Sequence, residues 1–166
     1  MSETLWACRP LPQADTQSAL GRWEGAPATV AELTALRLRL YAALLDGARP
    51  AGATDDDIER LMLVFEELVS NGLRHGRPPV RVTVEGTDSG WLLDVTDAAV
   101  ERPPAPAVGR DAAYGGLGLY LIAGLCTAHG WMTDHDRRHV WARIDFTAGS
   151  DDYAAPRLPK PRGHGH

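Results

Sequence analysis

The sequence predicts an α+β fold, a two-layer sandwich in which a mixed, largely antiparallel sheet carries three helices on one face. Two observations lead there. Apolar residues recur at steps of three and four in three segments and at alternate positions in others, in the order β-α-α-β-β-lid-α-β-β. The chain has 166 residues, 44% of them hydrophobic and 23% charged, which suits a single core. Roughly 100–200 residues make one domain.

The first 27 residues hold Pro10, Pro12, Gly21, Gly25 and Pro27 and show little period. One short strand is expected near Leu5 to Leu11, followed by an irregular connection. From Ala28 onward Val30, Leu33, Leu36, Leu40, Ala43 and Leu44 mark one helical face. Thr29 with Glu32 forms a capping box at its start, and Gly47 is the expected stop. A second helix begins at Thr54, its first turn filled by Asp55, Asp56 and Asp57 at the positive end of the helix dipole. Ile58, Leu61, Met62, Phe65, Leu68 and Val69 form its apolar stripe, and Gly76 with Pro78 ends it. The period then falls to two: residues 80–97 read as a hairpin turning at Asp88-Ser89-Gly90.

Residues 98–115, rich in Pro and Gly, are expected to form a lid, since long loops without periodicity are usually functional or disordered. A third, heavily buried helix runs from Leu117 to Gly130. Two strands follow, Trp131 to Asp134 and His139 to Phe146, joined by a polar turn at Arg137-Arg138. From Thr147 the composition suggests a disordered tail, so the expected domain is 28–146 with 1–27 and 147–166 outside it.

With 17 Lys+Arg against 22 Asp+Glu the net charge is −5, which exerts no global pull toward nucleic acid. Lys160 is the single lysine, so P-loop lysine chemistry is excluded for the body of the chain. Cys8 and Cys126 are too few for a disulfide framework, and no apolar run approaches the ~20 residues of a membrane span. A soluble cytoplasmic protein is expected, without a secretion signal.

Three elements carry candidate chemistry. In Phe65-Glu-Glu-Leu-Val-Ser-Asn-Gly-Leu-Arg-His-Gly76, Glu67 and Asn71 lie four apart on one helix face, and Arg74 and His75 continue the line. Asn offers a neutral oxygen ligand for Mg²⁺ and Glu can accept a proton; taken alone, such a pair is more often a solvated polar face. Asp97 ends a strand, where it can accept from an exocyclic amine or open a turn. In Tyr114-Gly-Gly-Leu-Gly-Leu-Tyr-Leu-Ile, three glycines precede a helix whose free N–H groups suit an anion, although such runs are often ordinary turns.

Together, helix-borne Glu-x-x-x-Asn, strand-end Asp, a Pro/Gly-rich lid and Gly-x-Gly-Leu at a helix start resemble the GHKL (Bergerat-fold) superfamily, the histidine kinase-like ATPases. Over residues 28–146 the likeness is closest to the small bacterial anti-sigma-factor serine/threonine kinases. The resemblance implies ATP and Mg²⁺ as cofactors, Glu67 as general base and Asn71 as the Mg²⁺ ligand. It implies Asp97 as reader of the adenine amino group and Gly115, Gly116, Gly118, Leu119, Arg74 and His75 as nucleotide contacts. It implies a sigma factor and an anti-sigma antagonist as partners, and it allows a homodimer. Two departures stand out: Ala99 replaces a family glycine, and His139 stands at the expected place of a last-strand Thr. They leave a second reading open, a catalytically degenerate or nucleotide-independent interaction module.

Rival chemistries fit less well. Cys126-x-x-His129 has a ligand-like spacing, but a zinc site needs about four ligands, and His129 suits a helix C-terminus while Cys126 suits its apolar face. Trp91, Trp131 and Trp141 are better read as strand core than as a stacking platform in an acidic chain. No Ser sits at a glycine-bracketed elbow, which argues against a serine hydrolase.

Overall fold

The computed structural model describes residues 6–13, 21–46, 49–102 and 118–147. Along the chain run β1 (Arg22–Gly25), α1 (Val30–Leu45), α2 (Asp55–His75), β2 (Arg81–Gly86), β3 (Gly90–Asp97), α3 (Gly118–Ala123), β4 (Ala128–Asp134) and β5 (Arg137–Asp145). The five strands form one antiparallel sheet in the order β1-β2-β3-β5-β4. The expected order of elements and the α+β class hold.

Alternation sorts the sheet into two faces. Val82, Val84, Trp91, Leu93, Val95, Val140, Ala142 and Ile144 point into a single core. Leu33, Leu36, Leu40 and Leu44 of α1 and Leu61, Phe65, Leu68 and Val69 of α2 cover them. Helix α2 packs on β3, β5, α1 and α3, so it is the central rod of the helical layer. Gly72 lets it sit close to the sheet, because a Cβ there would lie 3.2 Å from Val95 and 3.4 Å from Val80.

Both helices start as their sequences dictate. Thr29 accepts from the Glu32 N–H at 3.2 Å, while the Glu32 carboxylate reaches one residue further back, to the Ala28 N–H. Thr54 and Asp57 form a reciprocal capping box, at 2.8 and 3.2 Å. Helix α1 stops at Leu45 with Asp46 as its cap; Gly47, the expected stop, lies outside the described residues.

Four expectations need correction. The first sheet strand is Arg22–Gly25, inside the segment read as irregular; of the strand expected near Leu5 to Leu11, the described residues 6–11 contribute a parallel bridge between Cys8 and Trp131. Pro10 and Pro12 lack the N–H groups a longer ladder needs. The segment is nonetheless anchored: Trp6 is fully buried in the core, and the Trp141 indole N–H donates to the Arg9 carbonyl at 3.1 Å.

The second correction is α3, which ends at Ala123 and not at Gly130. The Arg60 guanidinium holds the Leu125 carbonyl at 3.2 Å, and the Thr127 N–H joins the Arg143 carbonyl at 2.8 Å. The chain is thereby drawn into β4, which places His129 on a strand and Cys126 on the connection before it. Third, the turn between β4 and β5 falls at His135-Asp136, so that Arg137 and Arg138 both belong to β5. His135 supplies the positive φ (50°) this tight turn requires. Fourth, Thr147 is not loose: its N–H and hydroxyl both donate to Asp57 at 3.1 Å. Of the expected lid, residues 98–102 are described; 103–115 and the segment from 148 lie outside the described residues.

Candidate functional site

Glu67 and Asn71 are both half-buried on one side of α2. Neither side chain has a hydrogen-bond partner among the described residues, although both are polar and partly withdrawn from water. Glu67 lines a cleft of about 210 Å³ between α1 and α2, with Thr34, Arg37, Ser70 and Arg74 among its walls. Burial, reinforced by the neighbouring Glu66 carboxylate, pushes the Glu67 carboxyl above its ordinary value, and the positive charge of Arg74 opposes the shift only in part. An acid so poised exchanges a proton more readily near neutrality than a surface glutamate does. Arg74 is exposed and His75 half-buried.

Helix α3 packs against α2, with Gly118 as its first residue and Leu119 buried in the core. Gly115 and Gly116 lie outside the described residues.

Asp97 closes β3 and is 1% exposed. Its Oδ1 accepts the Ala99 N–H at 2.7 Å, the turn-opening bond of an Asp at a strand end, and a longer one from the Arg77 N–H at 3.4 Å. Its Oδ2 accepts from Arg138 Nε at 3.1 Å and Nη2 at 2.7 Å. Arg138 is 2% exposed, and its Nη1 donates to the Arg102 carbonyl at 3.1 Å. One guanidinium therefore ties together the end of β3, the start of β5 and the first residues of the expected lid. Gly76 makes room for this arrangement, since a Cβ there would lie 2.8 Å from the Asp97 carboxyl carbon. Ala99 is fully buried behind it.

The last-strand residue facing Asp97 is Arg138 and not His139. The register pairs Asp97 with Arg138 and Thr96 with His139, and neighbouring residues of a strand point to opposite faces. His139 instead meets Asp94 on the helix-free face, Nδ1 to Oδ2 at 2.8 Å. That bond holds the imidazole above its ordinary pKa despite burial, helped by the charges of Asp94 and Asp134 and opposed by Arg137. The sequence reading missed Arg138. The available signal was its position in step with Val140, Ala142 and Ile144, on the core-facing register where a charge requires a partner.

Cys126 and His129 serve the fold. Burial pushes the Cys126 thiol up to about 12, and its Sγ–H donates to the Ile122 carbonyl at 3.0 Å. The His129 ring lies 4.5 Å from that of Trp6, and burial lowers its pKa. Trp91 and Trp141 are core residues, with Trp131 packed at the margin. No described helix is long and apolar enough to cross a membrane.

The uncommitted groups on α2, an amide and a carboxyl, fit a metal–phosphate group. The surroundings of Asp97 are built differently, for each acceptor position of its carboxylate is already taken within the chain.

No curated protein matches the sequence. The family described as histidine kinase-like ATPase domain matches residues 26–144, a span that contains all three helices, β2 to β4, β5 up to its last residue and every candidate residue above. This sheet with its helical layer, and the polar face of α2 within it, accordingly make the chain a member of the histidine kinase-like ATPase domain family.

Proposed function

We propose that this protein is a Mg-ATP-binding regulatory protein kinase of the anti-sigma-factor type, which phosphorylates a serine or threonine of a protein antagonist and binds a sigma factor. The observation that carries the reading is the bare, half-buried Glu67–Asn71 pair on one side of α2, with its raised carboxyl. Asn71 supplies a neutral oxygen for the divalent ion, which when bound neutralises developing charge on the triphosphate. The Glu67 carboxylate takes the proton of the attacking hydroxyl. The α1–α2 cleft brings Ser70, Arg37 and Arg74 around that carboxylate and limits its access to water.

Incubation with labelled ATP, Mg²⁺ and candidate antagonists tests the reading. Transfer that disappears in Glu67→Ala supports it; nucleotide binding with no transfer to any protein leaves the second reading, a degenerate interaction module. That alternative draws on one observation, the internal saturation of Asp97 beside the buried Ala99.

A further inference from the structure

The two ends of the candidate site are built on opposite plans. Asn71 and Glu67 leave their oxygens uncommitted, whereas Asp97 commits both. An ionised carboxylate has about four acceptor positions, two on each oxygen. Here Oδ1 takes two backbone N–H groups, and Oδ2 takes both prongs of one guanidinium. The ion pair is nearly sealed, with the carboxylate 1% and Arg138 2% exposed. It is also fixed on its far side, because Arg138 Nη1 is spent on the Arg102 carbonyl. The cross-strand register between Asp97 and Arg138 places this arginine on the carboxylate by backbone pairing, not through a chance rotamer of a long surface side chain.

We propose that Arg138 occupies, on Asp97, the donor position that the amino group of an adenine would need, so that this site binds purine triphosphates without selecting for the 6-amino group. The inference rests on the nucleotide-binding reading given above. Sites that single out a ligand N–H do so because an acceptor is otherwise left unpaired and buried. Asp97 has no unpaired acceptor, so a 6-oxo purine loses nothing by lacking the donor. Arg138 is thus a specificity residue, and it acts by keeping a carboxylate silent.

Calorimetric titration of the full chain with ATP, ITP and GTP in the presence of Mg²⁺, with inorganic tripolyphosphate as a base-free probe, tests this. Affinities for ATP and ITP within about threefold are expected, since no base-specific hydrogen bond separates them. A preference for ATP of tenfold or more overturns the proposal and leaves nucleotide binding standing. Failure of every nucleotide and of tripolyphosphate to bind overturns both. The variant Arg138→Thr, its fold verified by circular dichroism, frees Oδ2 and is expected to create a preference for ATP over ITP of at least tenfold. A folded Arg138→Thr protein that still treats the two alike removes the guanidinium as the cause. If that variant does not fold, the ATP-to-ITP ratio of the unaltered chain decides alone.

Discussion

Two carboxyl groups on α2, separated by less than three turns, have opposite surroundings. Asp57, at the N-terminus, is fully buried and accepts from the Thr54 N–H, the Arg60 guanidinium, and the N–H and hydroxyl of Thr147. Burial by itself raises its pKa, but the donors from Thr54, Arg60 and Thr147 outweigh it and hold the carboxyl at about 2. Glu67 has burial without donors, and its pKa goes the other way. A carboxyl whose lone pairs the fold has filled holds elements together. One left bare is free to act on something else.

The sharpest way to test that contrast is to remove the charge at Glu67. Glu67→Gln is expected to lower phosphoryl transfer by about 10²- to 10⁴-fold, the usual size of a general-base effect. A folded-state pKa raised above the ordinary value means that ionised Glu67 disfavours the fold at neutral pH, so the same variant should unfold in urea no earlier than the parent. The acid limb of the rate profile should also lie above pH 4.5, where an ordinary glutamate would put it. Transfer that survives in Glu67→Gln, or an early urea midpoint, would make Glu67 a structural acid like Asp57.

The converse change is Asp57→Ala. It strands the Arg60 charge and the Thr54 and Thr147 donors, and a loss of about 3 kcal/mol in urea unfolding is expected, with transfer per folded molecule unchanged. A smaller effect is read in acid. With its pKa lowered from 3.8 to about 2, Asp57 contributes stability that is complete above the ordinary value and lost as the pH falls through the folded one. Stability should drop by about 2 kcal/mol across that window, and Asp57→Asn should flatten the limb. The smallest effect belongs to Asp94–His139 on the opposite face. A raised histidine pKa contributes stability below pH 6.5 that is lost as the pH climbs through the folded value, so the melting temperature should slip on that side and cease to do so in Asp94→Asn.

Much of this was legible in the residues themselves. The Thr29–Glu32 capping pair, the Thr54 cap, the stripe from Ile58 to Val69 and the alternation through residues 80–97 each lie within a turn or two of chain, and they led to the correct elements. The same helical periodicity brought Glu67 and Asn71 onto one face. The misreadings involve residues whose fate is decided far along the chain. Trp6 fell within a short strand expected outside the domain because nothing near it explains its burial in the core; its neighbours come from β4, across the parallel bridge at Trp131. Residues after Ala123 carry helical spacing, yet Arg60 and Arg143 pull them into a strand.

Sequence alone determined the class of fold, the order of its elements and which side of α2 faces the core, because those follow from hydrogen bonds and apolar spacing within a few residues. Tertiary structure decided what the acids do. Asp57 meets Thr147 and Asp97 meets Arg138 only once the sheet has set its register, 90 and 41 residues away along the chain. A carboxyl's role depends on how many donors reach it after burial, and no local pattern records that count.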